Sequence, residues 1–289
     1  MKSTRVSVAR DRLAVREAGA WTVEKLYWVE KYARAFMTAM APKRDAGKWS
    51  SLSYVDLLSG PGRCILRGSG EEIDGSPLLA LRVRPPFDRF YFVDSSRRNI
   101  AALRARIPDE RATHVELRVG DCNAIVNEVV RELPAGGLAL AFLDPEGFEV
   151  HFETLRVLAR RRTDILYLFP TGIGIKRNVK QFLATHRNAM DLLWGGDDWR
   201  SLVGHEPIPS GPLTHEQRVR VSAPWVKAFR ERVQRILGLI SDESPPLIIN
   251  DRNSAMYHLL FFTNDQTGLR IWRKLKAIDA SGQRSLGIA

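Results

Sequence analysis

The stretch from Tyr54 to Arg63 constrains the fold more than any other part of the sequence. It reads Tyr-Val-Asp-Leu-Leu-Ser-Gly-Pro-Gly-Arg, an apolar run with one acid, Asp56, followed by a tight turn. A buried run that ends in such a turn is typical of a strand in a parallel α/β sheet. Gly60 and Gly62 have no Cβ, so the turn can adopt a positive φ and a ligand can approach its backbone closely. The pattern is not G-x-G-x-x-G, so the dinucleotide-binding fingerprint does not fit.

The composition is that of a globular protein with a substantial core. The chain has 289 residues, of which 44% are hydrophobic and 27% are charged. No apolar run is long enough to cross a bilayer, and no apolar segment follows the basic N-terminus as in a secretory signal. The two cysteines, Cys64 and Cys122, make neither a disulfide framework nor a zinc site. We therefore expect a cytoplasmic protein with no membrane partner and no metal.

The chain is strongly basic, with a formal net charge of +11 at pH 7. Such a charge attracts polyanions and favours RNA or DNA as a partner. A surface that is merely rich in arginine is the alternative interpretation.

Apolar runs alternate with amphipathic segments over most of the chain. This rhythm predicts a doubly wound, Rossmann-like, mostly parallel sheet with helices on both faces. A short turn before the last strand favours an antiparallel pair at the end of the chain. The predicted strands are 52–58, 90–94, 115–119, 138–143, 165–169, 247–249 and 257–263.

The alternation of apolar runs and amphipathic segments changes after the fifth strand, which suggests an inserted helical cap. Four segments are predicted: a mobile basic arm over 1–21, a cofactor-binding core over 22–170, a helical insertion over 171–244, and closing strands and a helix over 245–289. The insertion is predicted to contain a long helix from about His215 to Leu237. A glycine-rich loop is predicted over 60–75.

Acidic residues fall at the carboxyl ends of successive strands, which share one edge of a parallel sheet. Asp94 is placed to accept hydrogen bonds from both hydroxyls of a ribose, and Asp121 from the exocyclic amine of an adenine. An acidic strand before a short G-x-G turn is similar to the nucleoside pocket of S-adenosylmethionine-dependent methyltransferases. The predicted cofactor-binding residues are Asp56, Ser59, Gly60, Gly62, Asp94, Asp121 and Cys122. The alternative is that Asp94 and Asp121 only cap the helices that follow them.

Asp144-Pro145 follows the fourth strand, where amino-methyltransferases that act on nucleobases carry an Asp-Pro or Asn-Pro pair. Its oxygens would orient the target amine towards the donor methyl without a strong base. Phe148 is the candidate stacking residue, and Glu146 stands where such enzymes have a second proline. An ordinary strand-ending turn is the alternative.

Beyond the fifth strand, a basic cluster of Lys176, Arg177 and Lys180 is a candidate for phosphate contacts with the substrate. A solvated helix start is an equal alternative. His151 is a possible proton carrier, although a lone histidine near a helix start is more often a cap.

The order of these motifs resembles the three-Cys-motif partner protein family. The resemblance rests on the turn of residues 54–63, on Gly75-Ser-Pro-Leu-Leu-Ala-Leu81, on Phe142-Leu-Asp-Pro-Glu-Gly147, on Trp194-Gly-Gly-Asp-Asp-Trp-Arg200 and on residues 257–272. It implies a class I methyltransferase fold with strand order 3-2-1-4-5-7-6, the seventh strand being antiparallel, and a three-cysteine radical-type partner protein. The family's usual alanine is Ser59 here.

Three functions are compatible with these residues. The first is an S-adenosylmethionine-dependent methyltransferase that acts on a nucleobase amine of RNA or DNA. The second is a non-catalytic adaptor that holds the three-cysteine protein on a nucleic acid. The third is a nuclease or phosphoesterase in which the acids at the strand ends bind Mg²⁺.

Overall fold

The structure is a computed structural model that describes residues 9–170, 182–184, 188–203, 215–250 and 255–280. The described strands are β1 (Arg16–Ala18), β2 (Leu52–Asp56), β3 (Arg63–Leu66), β4 (Glu72–Asp74), β5 (Arg89–Asp94), β6 (Val115–Val119), β7 (Leu138–Leu143), β8 (Thr163–Phe169), β9 (Ile240–Ser241), β10 (Leu247–Ile249) and β11 (Ala255–Thr263). The described α-helices are α1 (Trp21–Asp45), α2 (Ser76–Arg82), α3 (Arg97–Arg104), α4 (Asp109–Ala112), α5 (Cys122–Glu132), α6 (Phe152–Leu158), α7 (Ala189–Trp194), α8 (His215–Leu237) and α9 (Gln266–Ala280).

A mixed, eight-stranded sheet forms the centre of the fold. Its order is β10-β11-β8-β7-β2-β5-β6, and β9 pairs with the end of β11. The five strands from β8 to β6 are parallel, whereas β11 is antiparallel to both β8 and β10. This confirms the predicted α/β class, the order 3-2-1-4-5-7-6 and the antiparallel final pair. The two-residue strand β9 was not predicted.

The core lies on both faces of this sheet because successive side chains of a strand point to opposite faces. On one face Tyr54 packs among aromatic residues beneath α1 and α2, and on the other Val55 packs beneath α5 and α6. The central strands β2, β7 and β8 are buried throughout. Their continuous apolar sequences follow from this two-sided burial.

Helix α1 extends beyond Met40, the last large buried apolar residue on its sequence. Pro42 lies inside its last turn rather than ending it, and the helix continues to Asp45. Thr22 does not cap it: the N-cap is Ala20, and the Thr22 side chain is buried in the first turn.

The N-terminal segment packs against the rest of the described structure, so the prediction of a mobile arm is wrong for residues 9–20. Strand β1 pairs in parallel with β3, and Ala9, Ala14 and Val15 are buried. Arg106 secures the segment: its Nε and Nη2 donate to the two oxygens of Asp11 at 2.8 and 2.9 Å. Its Nη1 donates to the carbonyls of Ala14 and Pro61 at 2.7 and 2.6 Å. The Arg106 side chain is only 4% exposed.

The predicted glycine-rich loop of 60–75 contains a hairpin instead. Strands β3 and β4 pair in antiparallel fashion, and together with β1 they form a separate three-stranded sheet. Gly68 and Gly70 take positive φ values of 99° and 70° in the connecting turn. Short strands such as Cys64-Ile65 against Ile73 give too little periodic signal to separate them from a loop.

The described part of the insertion is mainly helical, apart from β9, and the predicted helix over His215–Leu237 is confirmed. The Trp194–Arg200 motif has a packing role. Trp199 is fully buried and its indole N–H donates to Asp191 at 2.7 Å. Arg232 of α8 donates to the carbonyls of Trp194 and Gly195. Within the described residues, no helix combines the length and apolarity needed to span a membrane.

Candidate functional site

The turn after β2 is held against the end of β5. The backbone N–H of Ser59 donates to the carbonyl of Val93 at 2.8 Å, and that of Gly60 donates to Oδ2 of Asp94 at 2.9 Å. Gly60 has a φ of +63°, and a Cβ added there would meet nothing within 4 Å. At Gly62, with a φ of +84°, a Cβ would lie 2.8 Å from Leu103 Cδ1. Gly62 therefore permits close packing, whereas Gly60 faces open space.

A cavity runs from this turn to the end of β7. Its wall includes Ser59, Gly60 and Gly62 of the turn, Lys25 of α1, Arg16 of β1 and Asp144 after β7. The Ser59 hydroxyl is buried and has no hydrogen-bond partner. A buried polar atom without a partner is costly, so the hydroxyl of this cavity-lining serine has hydrogen-bonding capacity that a ligand can use. The structure thus brings part of the predicted cofactor set together with the predicted catalytic Asp144.

Asp56 lies behind the cavity rather than in it. Its side chain is fully buried, and it accepts hydrogen bonds from the Ser76 hydroxyl at 2.6 Å and from the Leu58 N–H at 3.3 Å. Burial raises its pKa to about 7. Ser76 is the first residue of α2, and Gly75 is the N-cap. Asp56 therefore does not contact a cofactor directly in this arrangement, contrary to expectation.

Asp94 is half-buried and lies beside the turn, where it accepts a hydrogen bond from Gly60. Besides Gly60, it accepts from the Ser96 N–H at 2.8 Å and from Asn99 Nδ2 at 3.0 Å, both at Oδ1. An ionised carboxylate has about four acceptor positions, so Oδ2 retains one. The geometry thus leaves room for one ribose hydroxyl rather than the two that we expected. The alternative in which Asp94 caps α3 is wrong, because Ser96 is the N-cap.

Asp121 and Cys122 have structural contacts: the first caps a helix and the second packs in the core. Oδ1 of Asp121 caps α5 by accepting from the N–H groups of Asn123 and Ala124 at 2.9 and 3.2 Å. The residue is exposed, and no described residue donates to its other oxygen. Cys122 is 3% exposed and packs in the hydrophobic core. Burial raises the pKa of its thiol to about 12, so the thiol stays neutral.

Asp144 is paired with two cations, and both approach its Oδ2. The Lys25 ammonium donates a hydrogen bond to its Oδ2, and Arg16 lies 3.8 Å from the same oxygen. Arg16 also contacts Glu146 at 3.1 Å, and the Tyr257 hydroxyl donates to the Glu146 carbonyl at 3.1 Å. No described residue donates to Oδ1 of Asp144. That oxygen remains available to an incoming hydrogen-bond donor.

Lys25 is the residue of this site that the sequence interpretation missed. Its ammonium is buried, and it makes one hydrogen bond where it has three donors. The signal was present in the helical period: Lys25 precedes the buried residues Val29 and Tyr32 by four and seven positions. A lysine on the buried stripe of a helix requires a partner, and an acid at a strand end is the natural one.

The remaining predicted residues have other surroundings or lie outside the described part. Pro145 is buried next to Asp144, and Phe148 is half-buried. Its ring packs edge to face on Phe182 with centroids 5.1 Å apart, which leaves part of it for stacking. His151 is half-buried, and its backbone N–H donates to Asn123 Oδ1 at 2.9 Å. The three basic candidates Lys176, Arg177 and Lys180 lie outside the described residues.

Comparison of the sequence with family models and with curated proteins finds no match. Among solved structures, protein LPL1258 from Legionella pneumophila aligns over 87% of this chain and 92% of its own at 12% identity and a TM-score of 0.47. The O-methyltransferase from Bacillus cereus in complex with SAH aligns over 81% and 80% at 12% identity and a TM-score of 0.42. TYW2 from M. jannaschii in complex with AdoMet aligns over 84% and 75% at 10% identity and a TM-score of 0.40.

These likenesses are too distant to transfer an activity or a ligand to this chain. The class of protein follows from the chain's own topology. Five parallel strands in the order 3-2-1-4-5, extended by an antiparallel seventh strand and a sixth, make it a Rossmann-like protein with a class I methyltransferase fold.

Proposed function

We propose that the chain is an S-adenosylmethionine-dependent methyltransferase that acts on a nucleobase amine of RNA or DNA. One observation carries the proposal: three residues line the same cavity, namely Ser59 with its unpartnered hydroxyl, Gly60 with open space beside it, and Asp144 with an oxygen to which no described residue donates. A glycine turn for the cofactor next to a polar acceptor site for the substrate is what methyl transfer needs.

The cofactor, when bound, supplies an electrophilic methyl group on a positively charged sulfur. Asp94 Oδ2 would accept from a ribose hydroxyl, and the free oxygen of Asp121 from an adenine amine. Ser59 would hydrogen-bond the part of the cofactor that lies over the turn. These three groups have acceptor or donor capacity that the fold leaves unused.

Asp144 would position the acceptor. With Oδ2 held by Lys25, its Oδ1 can accept from one N–H of an amine and turn the nitrogen lone pair towards the methyl group. The net charge of +11 supports a polyanionic substrate, and Phe148 offers part of an aromatic face for a base. Lys176, Arg177 and Lys180 remain candidates for contacts with its phosphates.

The adaptor function is the second candidate, and the ion pair of Lys25 with Asp144 favours it, because a carboxylate already paired is less available to a substrate. The three-cysteine partner rests on the sequence resemblance alone. For the metal-dependent nuclease, no group of acids, histidines or cysteines able to hold a metal occurs among the described residues.

The test is transfer of a labelled methyl group from S-adenosylmethionine to total RNA and to DNA. We expect incorporation into one of them by the wild type. Asp144→Ala should bind the cofactor as tightly as the wild type and lose incorporation. If the wild type binds the cofactor but labels neither nucleic acid, and Asp144→Ala behaves identically, the adaptor is the better account.

A further inference from the structure

We propose that Asp56 is the buried counter-ion of the methyl donor: it is protonated in the ligand-free protein and releases its proton when a sulfonium cation binds. The site would then prefer the cationic donor to its neutral demethylated product. This inference rests on the proposed function and assigns to Asp56 a role in discrimination rather than in direct contact.

The first step is that Asp56 has no cation of its own. It is fully buried, and its two described partners, the Ser76 hydroxyl and the Leu58 N–H, are neutral. No lysine, arginine or histidine among the described residues lies within 4.0 Å of it. A buried carboxylate without a cation is unstable, so burial favours the neutral form of Asp56.

The second step is the charge around the cavity. Lys25 is offset by Asp144, and Arg16 by Glu146. Arg63 is offset by Asp11, Glu72 and Asp74 at 3.3 to 3.7 Å. Each of these cations is thus paired with a described carboxylate, so none of these paired carboxylates is left over for an added positive charge.

The third step is that two residues of the cavity wall connect Asp56 to the cavity. Ser76 and Leu58, the two hydrogen-bond partners of Asp56, both line the cavity. The titratable groups that interact electrostatically with Asp56 are Asp144 at the end of β7, Asp94 at the end of β5 and Tyr54 on its own strand. All three oppose its ionisation or stay neutral, so a nearby cation is the event that favours the charged form.

The consequence is a pH-dependent preference. The pKa of Asp56 in the free protein is about 7. If the complex holds Asp56 ionised, about half a proton is released on binding at pH 7. The ratio of the dissociation constant of S-adenosylmethionine to that of S-adenosylhomocysteine should then fall about tenfold between pH 6 and pH 8. The amino and carboxylate groups common to both ligands cancel in this ratio.

The experiment is calorimetric titration of the full-length protein with each ligand at pH 6, 7 and 8, in two buffers of different ionisation enthalpy. We expect proton release with S-adenosylmethionine only, and the tenfold change in the ratio. Asp56→Asn, in which the amide oxygen still accepts from Ser76, should make the ratio independent of pH. Ser76→Ala removes a bond that favours the ionised form, so the transition should move to higher pH.

Two results overturn the inference and are distinguishable. If both ligands bind to the wild type with a constant ratio and no proton release, Asp56 is not the counter-ion, while the proposed function stands. If neither ligand binds at any pH, the proposed function fails and the inference fails with it. The proton count is measured on the wild type, so it holds even if Asp56→Asn does not fold.

Discussion

Lys25 and Asp144 form a buried ion pair although they lie 119 residues apart in the sequence. Their side chains are 7% and 10% exposed. The pair connects helix α1 with the loop after β7, and it places a fixed positive charge beside the one carboxylate that we assign to the substrate. It is therefore both a packing contact and part of the candidate site.

Removal of one partner of this pair should destabilise the fold. Lys25→Met leaves Asp144 buried with only the more distant Arg16, and breaking a buried pair costs about 3–5 kcal/mol. We expect a loss of about 3 kcal/mol in the free energy of unfolding, measured with urea. The double variant Lys25→Met/Asp144→Asn should recover a large part of that loss.

Lys43→Met on the same helix is the matched control, because Lys43 lies in the last turn away from the cavity. Its effect should stay within about 0.5 kcal/mol. Equal effects of the two lysine variants would show that the pair contributes nothing specific.

The two glycines of the turn have different surroundings: Gly60 faces open space, whereas Gly62 packs against Leu103. Gly60→Ala should cost about 1 kcal/mol for its positive φ and weaken the binding of S-adenosylhomocysteine, because the methyl group projects into open space. Gly47→Ala has the same conformational strain, with a φ of +78° and nothing within 4 Å, but lies at the end of α1. Calorimetry should show weaker binding for the first variant only, and equal binding by both would place the ligand elsewhere.

Arg106 should control the order of the N-terminal segment. Its bonds to Asp11, Ala14 and Pro61 join this segment to the cofactor turn. The hydrogen bonds from Arg106 to the Asp11 carboxylate also lower the pKa of Asp11 to about 2. Arg106→Ala should accelerate hydrogen exchange over residues 9–18 and lower stability by about 2–3 kcal/mol. Arg104→Ala, on the exposed face of α3, should change neither, and unchanged exchange in Arg106→Ala would contradict the account.

Asp164 should make stability depend on pH. It is buried, and burial raises its pKa to about 6, although the Tyr32 hydroxyl donates a hydrogen bond to it at 2.6 Å. The folded pKa exceeds the unfolded one, so the protonated group stabilises the fold fully below pH 3.8, and this contribution is lost as the pH rises through 6. Asp164→Asn should therefore gain about 1–2 kcal/mol relative to the wild type between pH 5 and pH 8. Urea unfolding at both pH values measures this, and a parallel pH dependence of the two proteins would refute it.

The sheet was predictable because its strands are long apolar runs separated by turn residues. Runs such as 138–143 and 165–169 are buried on both faces, which gives a strong signal. The small sheet was not predictable for the opposite reason. Strand β1 is only Arg-Glu-Ala, and its pairing with β3 is between segments almost fifty residues apart. Neither local propensity nor alternation marks such a strand.

The site was predictable in its position but not in its contacts. The edge of the sheet follows from parallel topology, so Asp94, Asp144 and the turn were correctly placed near one another. Whether an acid at a strand end faces the cleft, caps a helix or lies in the core depends on tertiary packing. This is why Asp56 is buried behind Ser76 and Asp121 caps α5.

Direct binding of S-adenosylmethionine, measured by calorimetry, tests the central claim. We predict a micromolar dissociation constant, about −8 kcal/mol, for the wild type and for the control Asp109→Ala, which changes an exposed acid in α4. Asp94→Ala should remove the binding, with thermal unfolding used to show that the variant is folded. An absence of heat with both S-adenosylmethionine and S-adenosylhomocysteine in the wild type would contradict the account.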